Sequence, residues 1–431
     1  MKDSKRKVLI ITYYWPPSGG AGVQRWLKFA KYLPEFGWEP VIYTPLNPEA
    51  PAIDASLERD VDEKLRIIRR PIFEPYSFYK KFTGKKGAIN AGFLTEDASG
   101  KKTFKEKVSI WIRGNLFIPD ARVFWVRPSI RYLSKIIRSE GIETIVSTGP
   151  PHSMHLIALG LKKRHKIRWI ADFRDPWTNI DFYKDLMLTS FADGLHKKLE
   201  KRTLQLADEV ICIGQTMAKE FEKISGRNIH VVTNGFDDED FTHTDSNDIT
   251  KDQFVILHLG SVNKDRNHQV FFKSISDLCV EKKDFNDKLK LIFVGKLDFV
   301  VIEDIEKFGL KDKTEIVSYV PHNEVSRYLE KADILYLPFN NTPNSKGVLT
   351  GKFFEYLAAR KPIAAIGNID GDANQILRAT KAGRMADFYD YKTFKNIISD
   401  FFDKQFPDFN LLEVRKYSRK NLTKLLSSIL E

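Results

Sequence analysis

Residues 8–25 run Val8-Leu9-Ile10-Ile11-Thr12-Tyr13-Tyr14-Trp15-Pro16-Pro17-Ser18-Gly19-Gly20-Ala21-Gly22-Val23-Gln24-Arg25. The opening run, Val8–Thr12, is almost wholly β-branched and reads as a buried strand. Two prolines and a glycine-rich turn break it, and Gln24–Leu33 then has the periodicity of an amphipathic helix. Glu39–Thr44 reads as the next strand. Strand, glycine turn, helix and strand in that order are the unit of a parallel sheet wound by helices. Glycines at such a turn let the backbone approach a ligand, and the helix start offers free N–H groups to an anion. Gly19 and Gly20 are therefore candidate binding residues, with a tight packing turn as the alternative. A dinucleotide fold would want G-x-G-x-x-G here and an acidic residue closing the second strand. Arg25 stands where a small residue should follow Gly20-Ala21-Gly22, and the second strand ends Tyr43-Thr44-Pro45. A nicotinamide dinucleotide is set aside.

The alternation continues outward. Thr144–Thr148, Arg168–Phe173 and Glu209–Ile213 read as strands of the same series. A second series comprises Phe254–Gly260, Lys290–Gly295, Glu315–Val320, Ile334–Leu337 and Pro362–Ile366. Between them lies a stretch from Asn234 to Lys251 that is rich in Asp, Asn, Ser and Thr, as linkers are. Leu422, Leu425, Leu426 and Ile429 make one stripe of a basic terminal helix. The expected organisation is an α/β fold with a first domain at 1–235, a linker at 236–250, a second domain at 251–410 and a terminal helix at 411–431.

The chain has 431 residues, 42% of them apolar, which is material for more than one core and excludes a disordered tail protein. Two cysteines exclude a disulfide scaffold and a four-thiolate metal site; Cys212 and Cys279 both fall in apolar runs and read as core. The basic start Met1–Lys7 is followed by too short an apolar run for a secretion signal, and no stretch is long enough to span a membrane. A cytoplasmic protein is expected, with any membrane contact peripheral.

The net charge of +12 comes from 69 basic and 57 acidic residues, and it is concentrated. Residues 61–140 hold 18 Lys and Arg against 8 Asp and Glu. Lys85, Lys86, Lys101, Lys102, Lys105 and Lys107 are interleaved there with Phe73, Tyr76, Phe78, Tyr79, Phe82, Phe93, Phe104, Trp111, Phe117 and Phe124. No zinc-finger spacing, aromatic RNA-binding strand or basic zipper accompanies the charge, so no nucleic-acid partner is expected. A solvated face and a surface docking on anionic lipid headgroups remain as readings.

Taken in order, a series of short motifs carries a resemblance. They are the Gly19-Gly20 loop, Thr148-Gly149-Pro150-Pro151-His152, Ala171-Asp172-Phe173-Arg174-Asp175-Pro176-Trp177, Asn234-Gly235-Phe236-Asp237 and Leu259-Gly260-Ser261 with Arg266. They continue with Tyr319-Val320-Pro321-His322, Ala332-Asp333-Ile334 and Gly351-Lys352-Phe353-Phe354-Glu355-Tyr356-Leu357. Along nearly its whole length the chain resembles the nucleotide-sugar glycosyltransferases of family 4. The resemblance implies the GT-B architecture: two Rossmann-like domains facing across a cleft, with the C-terminal helix returning to the first.

It implies a nucleotide diphosphate sugar as donor, bound mainly by the second domain, and a retaining transfer to a hydroxyl acceptor. The leaving diphosphate gains charge as the glycosidic bond breaks, and fixed cations aimed at it lower the barrier. Ser261, Lys264 and Arg266 follow the first strand of the second domain, at the carboxyl edge where α/β sheets bind ligands. Arg266 takes the diphosphate-binding place of the family. Thr350 is a candidate N-cap for a helix opening at Gly351 and Lys352, whose amides would face an anion. Glu355 occupies the place of the family's ribose-binding glutamate, with simple pairing to Lys352 as the alternative. One departure is clear: Gly347 stands eight positions before Glu355, where many relatives have a second glutamate near the donor sugar. Catalytic candidates in the first domain are Asp172, Asp175, Arg174 and His152, with His155 beside them. Arg174 stands where many relatives have a histidine and cannot act as a base; the Asp172–Asp175 run also reads as an internal salt-bridge cluster.

No metal and no resident cofactor are expected, because the Asp-x-Asp element of metal-dependent transferases is absent from the relevant loops. The charged, aromatic window lies in the domain that binds acceptors in such enzymes. It implies a lipid-linked or growing saccharide acceptor, in cell-surface polysaccharide or glycolipid biosynthesis. The alternatives are a sugar-nucleotide epimerase of the same fold, or a non-catalytic nucleotide-sugar binder.

Overall fold

The computed structural model describes residues 6–50, 53–74, 104–241, 252–318, 320, 324–406 and 408–431. Residues 75–103 of the basic window, the greater part of the expected linker, and Tyr319, Pro321 and His322 lie outside the described residues. The chain divides into two compact units, Met1–Thr233 with Thr423–Glu431, and Asn234–Leu422.

The first unit is built on seven parallel strands. They are β1 (Arg6–Ile11), β2 (Trp38–Pro45), β3 (Arg66–Arg70), β4 (Thr144–Gly149), β5 (Arg168–Phe173), β6 (Glu209–Cys212) and β7 (His230–Val231), in the spatial order β3-β2-β1-β4-β5-β6-β7. The register sets Ile11 beside Tyr43 on one side and Ser147 on the other. Val8, Leu9, Ile10 and Ile11 are fully buried, because helices cover both faces of a parallel sheet and a central strand needs no polar side.

The second unit carries β8 (Phe254–Leu259), β9 (Leu289–Val294), β10 (Thr314–Val317), β11 (Ile334–Pro338), β12 (Ile363–Ile366) and β13 (Gly383–Ala386), all parallel, in the order β10-β9-β8-β11-β12-β13. In each sheet the winding reverses once, between β1 and β4 and between β8 and β11. Loops leaving the carboxyl ends of strands at such a reversal diverge and leave a crevice.

Three strands were not legible as strands. β3 reads Arg-Ile-Ile-Arg-Arg and is exposed along most of its length; β7 has two residues; β13 is Gly-Arg-Met-Ala. All lie at or near sheet ends, where burial does not demand β-branched runs. The terminal segment also differs from the expected single helix. It is two helices, Leu411–Arg415 and Arg419–Leu430. The break falls where the Phe236 amide donates to Tyr417 O at 3.1 Å and the Arg419 amide donates to Phe236 O at 2.7 Å. Gly235 permits this approach, since an added Cβ would lie 2.2 Å from Tyr417 O. Only Thr423–Glu431 groups with the first unit, tied there by Arg168 Nη2 to Ile429 O at 3.0 Å and by the Arg6–Glu431 pair at 2.7 Å.

Candidate functional site

In the second unit the crevice opens between β8 and β11. Their pairing stops at Leu257–Leu335, and side chains span the gap beyond it. The Leu259 amide donates to the Tyr356 hydroxyl at 2.8 Å, and His258 Nδ1 donates to Tyr336 O at 3.0 Å. The strands thus part without leaving those buried groups unpaired.

Gly260 follows β8 with φ +95°, and Gly295 follows β9 with φ +132°. Both need glycine for backbone angle, and Gly295 needs it for space as well. A Cβ on Gly295 would meet Gly260 C at 2.6 Å, and a Cβ on Gly260 would meet Lys352 Nζ at 2.3 Å. The Lys352 ammonium therefore lies directly over the Gly260 backbone. Arg266 closes the 3₁₀ turn Lys264–Arg266; its Nε donates to Asn340 Oδ1 at 2.5 Å and its Nη1 to Ser261 O at 3.4 Å. A second bond, Asn341 amide to Asp265 O at 3.0 Å, joins the same two loops.

Both cations are half-buried. Burial and the charge of Arg266 bring the Lys352 ammonium down to about 7, with Glu355 offsetting part of the fall. Burial likewise lowers Arg266, against the pull of Asp265. Burial first, then Lys352, holds the His258 imidazole far below its usual range, so it is neutral. A site in which burial lowers both cations, and Arg266 further lowers Lys352, is one that an anion would relieve. The helix Gly351–Ala359 begins beside them. Thr350 occupies its N-cap position but makes no side-chain cap bond, and Thr350 Oγ1 is buried with no partner among the described residues. No acidic residue stands in the first turn. That helix start is open to an anion electrostatically.

Of the residues singled out from sequence, this unit thus brings together Arg266, Gly351 and Lys352, with Glu355 one turn into the same helix. Ser261 contributes its carbonyl to Arg266 while its side chain, like that of Lys264, is exposed. Gly347 ends the short turn Ser345–Gly347 before the helix. Sequence reasoning missed His258, Asn340, Gly295 and the hydroxyl of Tyr356. His258 was visible as the one ionisable residue inside the apolar β8 run; the others had no signal apart from the fold.

In the first unit the corresponding edge is organised by Asp172 and Arg174. Asp172 is fully buried at the end of β5. It accepts from Arg25 Nη2 at 2.8 Å, Trp26 Nε1 at 2.7 Å and Thr148 Oγ1 at 2.7 Å. Burial alone would raise its carboxyl, but Arg25 and these donors outweigh burial and hold it below the ordinary range. With every approach occupied, Asp172 is placed to lock the glycine-loop helix to the sheet and not to meet a substrate. Arg174 is nearly buried and binds carbonyls: Gly22 O at 2.6 Å, Gly149 O at 3.3 Å, and Pro150 O. It clamps the start of the helix Ala21–Tyr32 to the turn after β4. Gly22 is required there, since a Cβ would lie 2.5 Å from Arg174 Nη1. Gly20 is the N-cap of that helix at φ +99°, with open space around it and no side chain to cap the helix; Gly19 precedes it in the same loop.

His152 is 8% exposed and stacks on Trp177, with ring centroids 4.5 Å apart and planes 2° from parallel. Burial, with His155 and Arg174 adding, keeps its imidazole neutral. His155 lies deeper. Trp169 Nε1 donates to Ser147 Oγ at 2.8 Å, and Ser147 Oγ lies 2.8 Å from His155 Nδ1, so the hydroxyl is placed to donate to that nitrogen. Asp175 is the one carboxylate of its run that reaches the surface; crowding by protein raises its carboxyl, Arg174 opposes the rise and Asp181 adds to it. The run Asp172–Asp175 therefore divides: Asp172 and Arg174 hold the loops and Asp175 is exposed, while His152 is buried against Trp177. Among the described residues no three His, Cys, Asp or Glu side chains come together in the manner of a metal site.

Comparison with known proteins agrees with this architecture. Residues 93–240 match the family described as Glycosyltransferase Family 4, and residues 239–423 match Glycosyl transferases group 1. A curated relative from Bacillus subtilis, named "Putative teichuronic acid biosynthesis glycosyltransferase TuaH", is 27% identical over 204 residues. The match spans 45% of this chain and 49% of that one, about half the length of the relative. Among solved structures, a glycosyltransferase from Rickettsia africae superposes with a TM-score of 0.63 at 14% identity, covering 99% of this chain and 98% of that one. S. aureus TarM, solved with UDP, alpha-GlcNAc-glycerol and fondaparinux, gives 0.60 at 9% identity over 99% and 100% of the two chains.

Proposed function

Since the chain belongs to the family 4 glycosyltransferases of GT-B fold, we propose that it moves a sugar from a nucleotide diphosphate sugar to a hydroxyl acceptor, with retention and without a metal. The acceptor is a lipid-linked or growing saccharide at the cytoplasmic face of the membrane, in cell-surface polysaccharide or glycolipid assembly. The teichuronic acid role in the name of the relative from Bacillus subtilis and the basic window of the first unit support that setting.

One observation carries the donor assignment. The half-buried Lys352 ammonium stands over Gly260 at the crevice of the second sheet, beside an uncapped helix start, and the half-buried Arg266, bonded to Asn340, adds its charge to the same site. As the bond between the sugar and the diphosphate breaks, its electron pair stays on the diphosphate oxygen. Lys352, Arg266 and the amides of Gly351 and Lys352 stabilise that growing charge, which is the work a divalent cation does in other transferases. Glu355 accepts hydrogen bonds from the ribose hydroxyls. On the acceptor side, Asp175, with its raised carboxyl, and neutral His152 orient the attacking hydroxyl; Arg174 and Asp172 hold the loops that carry them.

A thermal-shift screen of nucleoside diphosphates tests the donor site. At 100 times its dissociation constant a ligand stabilises by about 2.7 kcal/mol. If no nucleotide shifts the melting curve, Lys352 and Arg266 do not bind a diphosphate. Product analysis with and without acceptor separates transfer from epimerisation, since an epimerase releases altered sugar in the absence of acceptor.

A further inference from the structure

The acceptor-side chemistry leaves out one buried imidazole, that of His155. It is fully enclosed in the helix Ser153–Lys162, and burial brings it down to about 3, so it is neutral and carries one ring hydrogen. Ser147 decides which nitrogen holds that hydrogen. The Ser147 hydroxyl is buried, accepts from Trp169 Nε1, and has no acceptor among the described residues other than His155 Nδ1. Its own hydrogen goes to Nδ1, which leaves the hydrogen of His155 on Nε2. That Nε2 is enclosed and has no partner among the described residues, and the same is true of Nδ1 of His152. The two nitrogens converge. A Cβ on Gly149 would lie 2.6 Å from His155 Nε2 and 3.0 Å from His152 Nδ1.

We propose that Trp169, Ser147 and His155 form a polar chain that fixes His152 as the tautomer with its hydrogen on Nε2, so that His152 offers a saccharide oxygen a donor and not a base. The inference rests on the transferase reading and adds His155 to it as a positioning residue, which acts only through His152. Two N–H groups turned on one enclosed point would leave both donors unpaired. Since His155 holds its hydrogen there, Nδ1 of His152 is the complementary acceptor. The coupling needs no direct bond: in an enclosed site the His155 N–H dipole favours a facing lone pair over a second hydrogen. Stacking on Trp177, with planes 2° apart, sets the plane of the His152 ring. Its Nε2 is the nitrogen left towards the surface, since it is not enclosed and bonds to nothing among the described residues. A hydrogen held on that nitrogen grips an oxygen lone pair of the ligand. With its lone pair turned inward, His152 holds the attacking hydroxyl in place but does not take its proton.

Long-range proton–nitrogen NMR spectra of the full chain, labelled with heavy nitrogen at histidine, read the tautomer directly, and H152Q identifies the His152 signals. Wild type should show His152 wholly in the Nε2–H form. H155L removes the inner donor and should leave a mixture of both tautomers. H155Q, whose amide returns a donor near the same point, should restore the single form. S147A breaks the chain one link earlier with a smaller loss of packing and should mix the tautomers as H155L does, so the test does not depend on H155L folding. A His152 hydrogen on Nδ1 in wild type, or a tautomer unmoved in a folded H155L or S147A, overturns the proposal. In turnover, H155L should lose roughly tenfold in kcat with an unchanged KM for the donor, and H155Q should regain part of it. A kcat that stays constant while the tautomer changes overturns the positioning role. A wild type that shows the expected tautomer but no transfer to any acceptor removes the transferase reading and leaves the polar chain standing.

Discussion

Gly260 and Lys352 exclude each other's enlargement, and that makes the pair the most informative place to perturb. G260A puts a Cβ where the lysine ammonium lies and forces alanine to φ +95°, a strain of about 1–3 kcal/mol. The expected result is a folded protein whose nucleotide affinity falls tenfold or more, roughly the worth of one hydrogen bond to a charged group; calorimetric titration checks it. Unchanged affinity would mean that Lys352 does not meet the ligand. The lysine also makes a pH prediction. Its ammonium titrates near 7 in the folded chain against about 10.4 when unfolded, so the folded state holds fewer protons between those values. The penalty of burying the charge is complete below pH 7 and is relieved as pH rises from 7 towards 10. An anion reverses this by favouring the charged lysine. Nucleotide binding should therefore take up close to one proton at pH 8 and weaken as pH rises above 7. K352M should stabilise the unliganded protein at pH 7 while abolishing that proton uptake. Titration in buffers of different ionisation enthalpy reads the uptake directly. Arg266 and Glu355 were recognisable by motif, but the lowered lysine was not, because its causes are burial in the folded unit and the charge of Arg266, which is distant in sequence.

At the scale of elements, the helix Gly351–Ala359 trades stability for an open end. A capping residue at 350 would be worth about 0.5–2 kcal/mol, yet Thr350 makes no cap bond. T350D should cap the helix and raise the melting temperature of the unliganded protein. It should also weaken nucleotide binding, by placing a carboxylate where a diphosphate belongs. Both effects are expected together, and a stabilised variant with undiminished affinity would separate the helix start from the donor site. This element also shows why the strands were readable and the site was not. β1, β4, β5, β8 and β11 are buried on both faces, so their composition alone announces them. β3 and β13 take their form from pairing with a neighbour, which no local pattern records. The parting of β8 from β11, bridged by Tyr356 and His258, depends in the same way on tertiary contacts between distant segments. The break at Tyr417-Ser418 that replaced the expected single terminal helix was hidden because it is made by backbone bonds to Phe236, far away in sequence.

Across the whole molecule, the two units own separate cores. One runs from Phe236 to Val414 and the other from Leu9 to Ile229, and among the described residues no buried one belongs to both. Cooperative unfolding requires a shared core, so the chain should not melt as a single two-state body. Calorimetry should resolve two transitions, and perturbations should sort between them. A nucleoside diphosphate at 100 times its dissociation constant adds about 2.7 kcal/mol to the unit that binds it. For a domain of this size that is roughly 5–10 °C, expected in the transition of Asn234–Leu422 alone. D172N should do the opposite elsewhere. It leaves Arg25 buried against a neutral partner, a loss of about 3–5 kcal/mol, and should lower only the transition of the first unit. Because Asp172 is enclosed by Arg25, Trp26 and Thr148, the variant should keep its nucleotide-induced shift while losing stability. If the nucleotide and D172N move the same transition, either the donor site does not belong to the second unit or the two cores unfold as one.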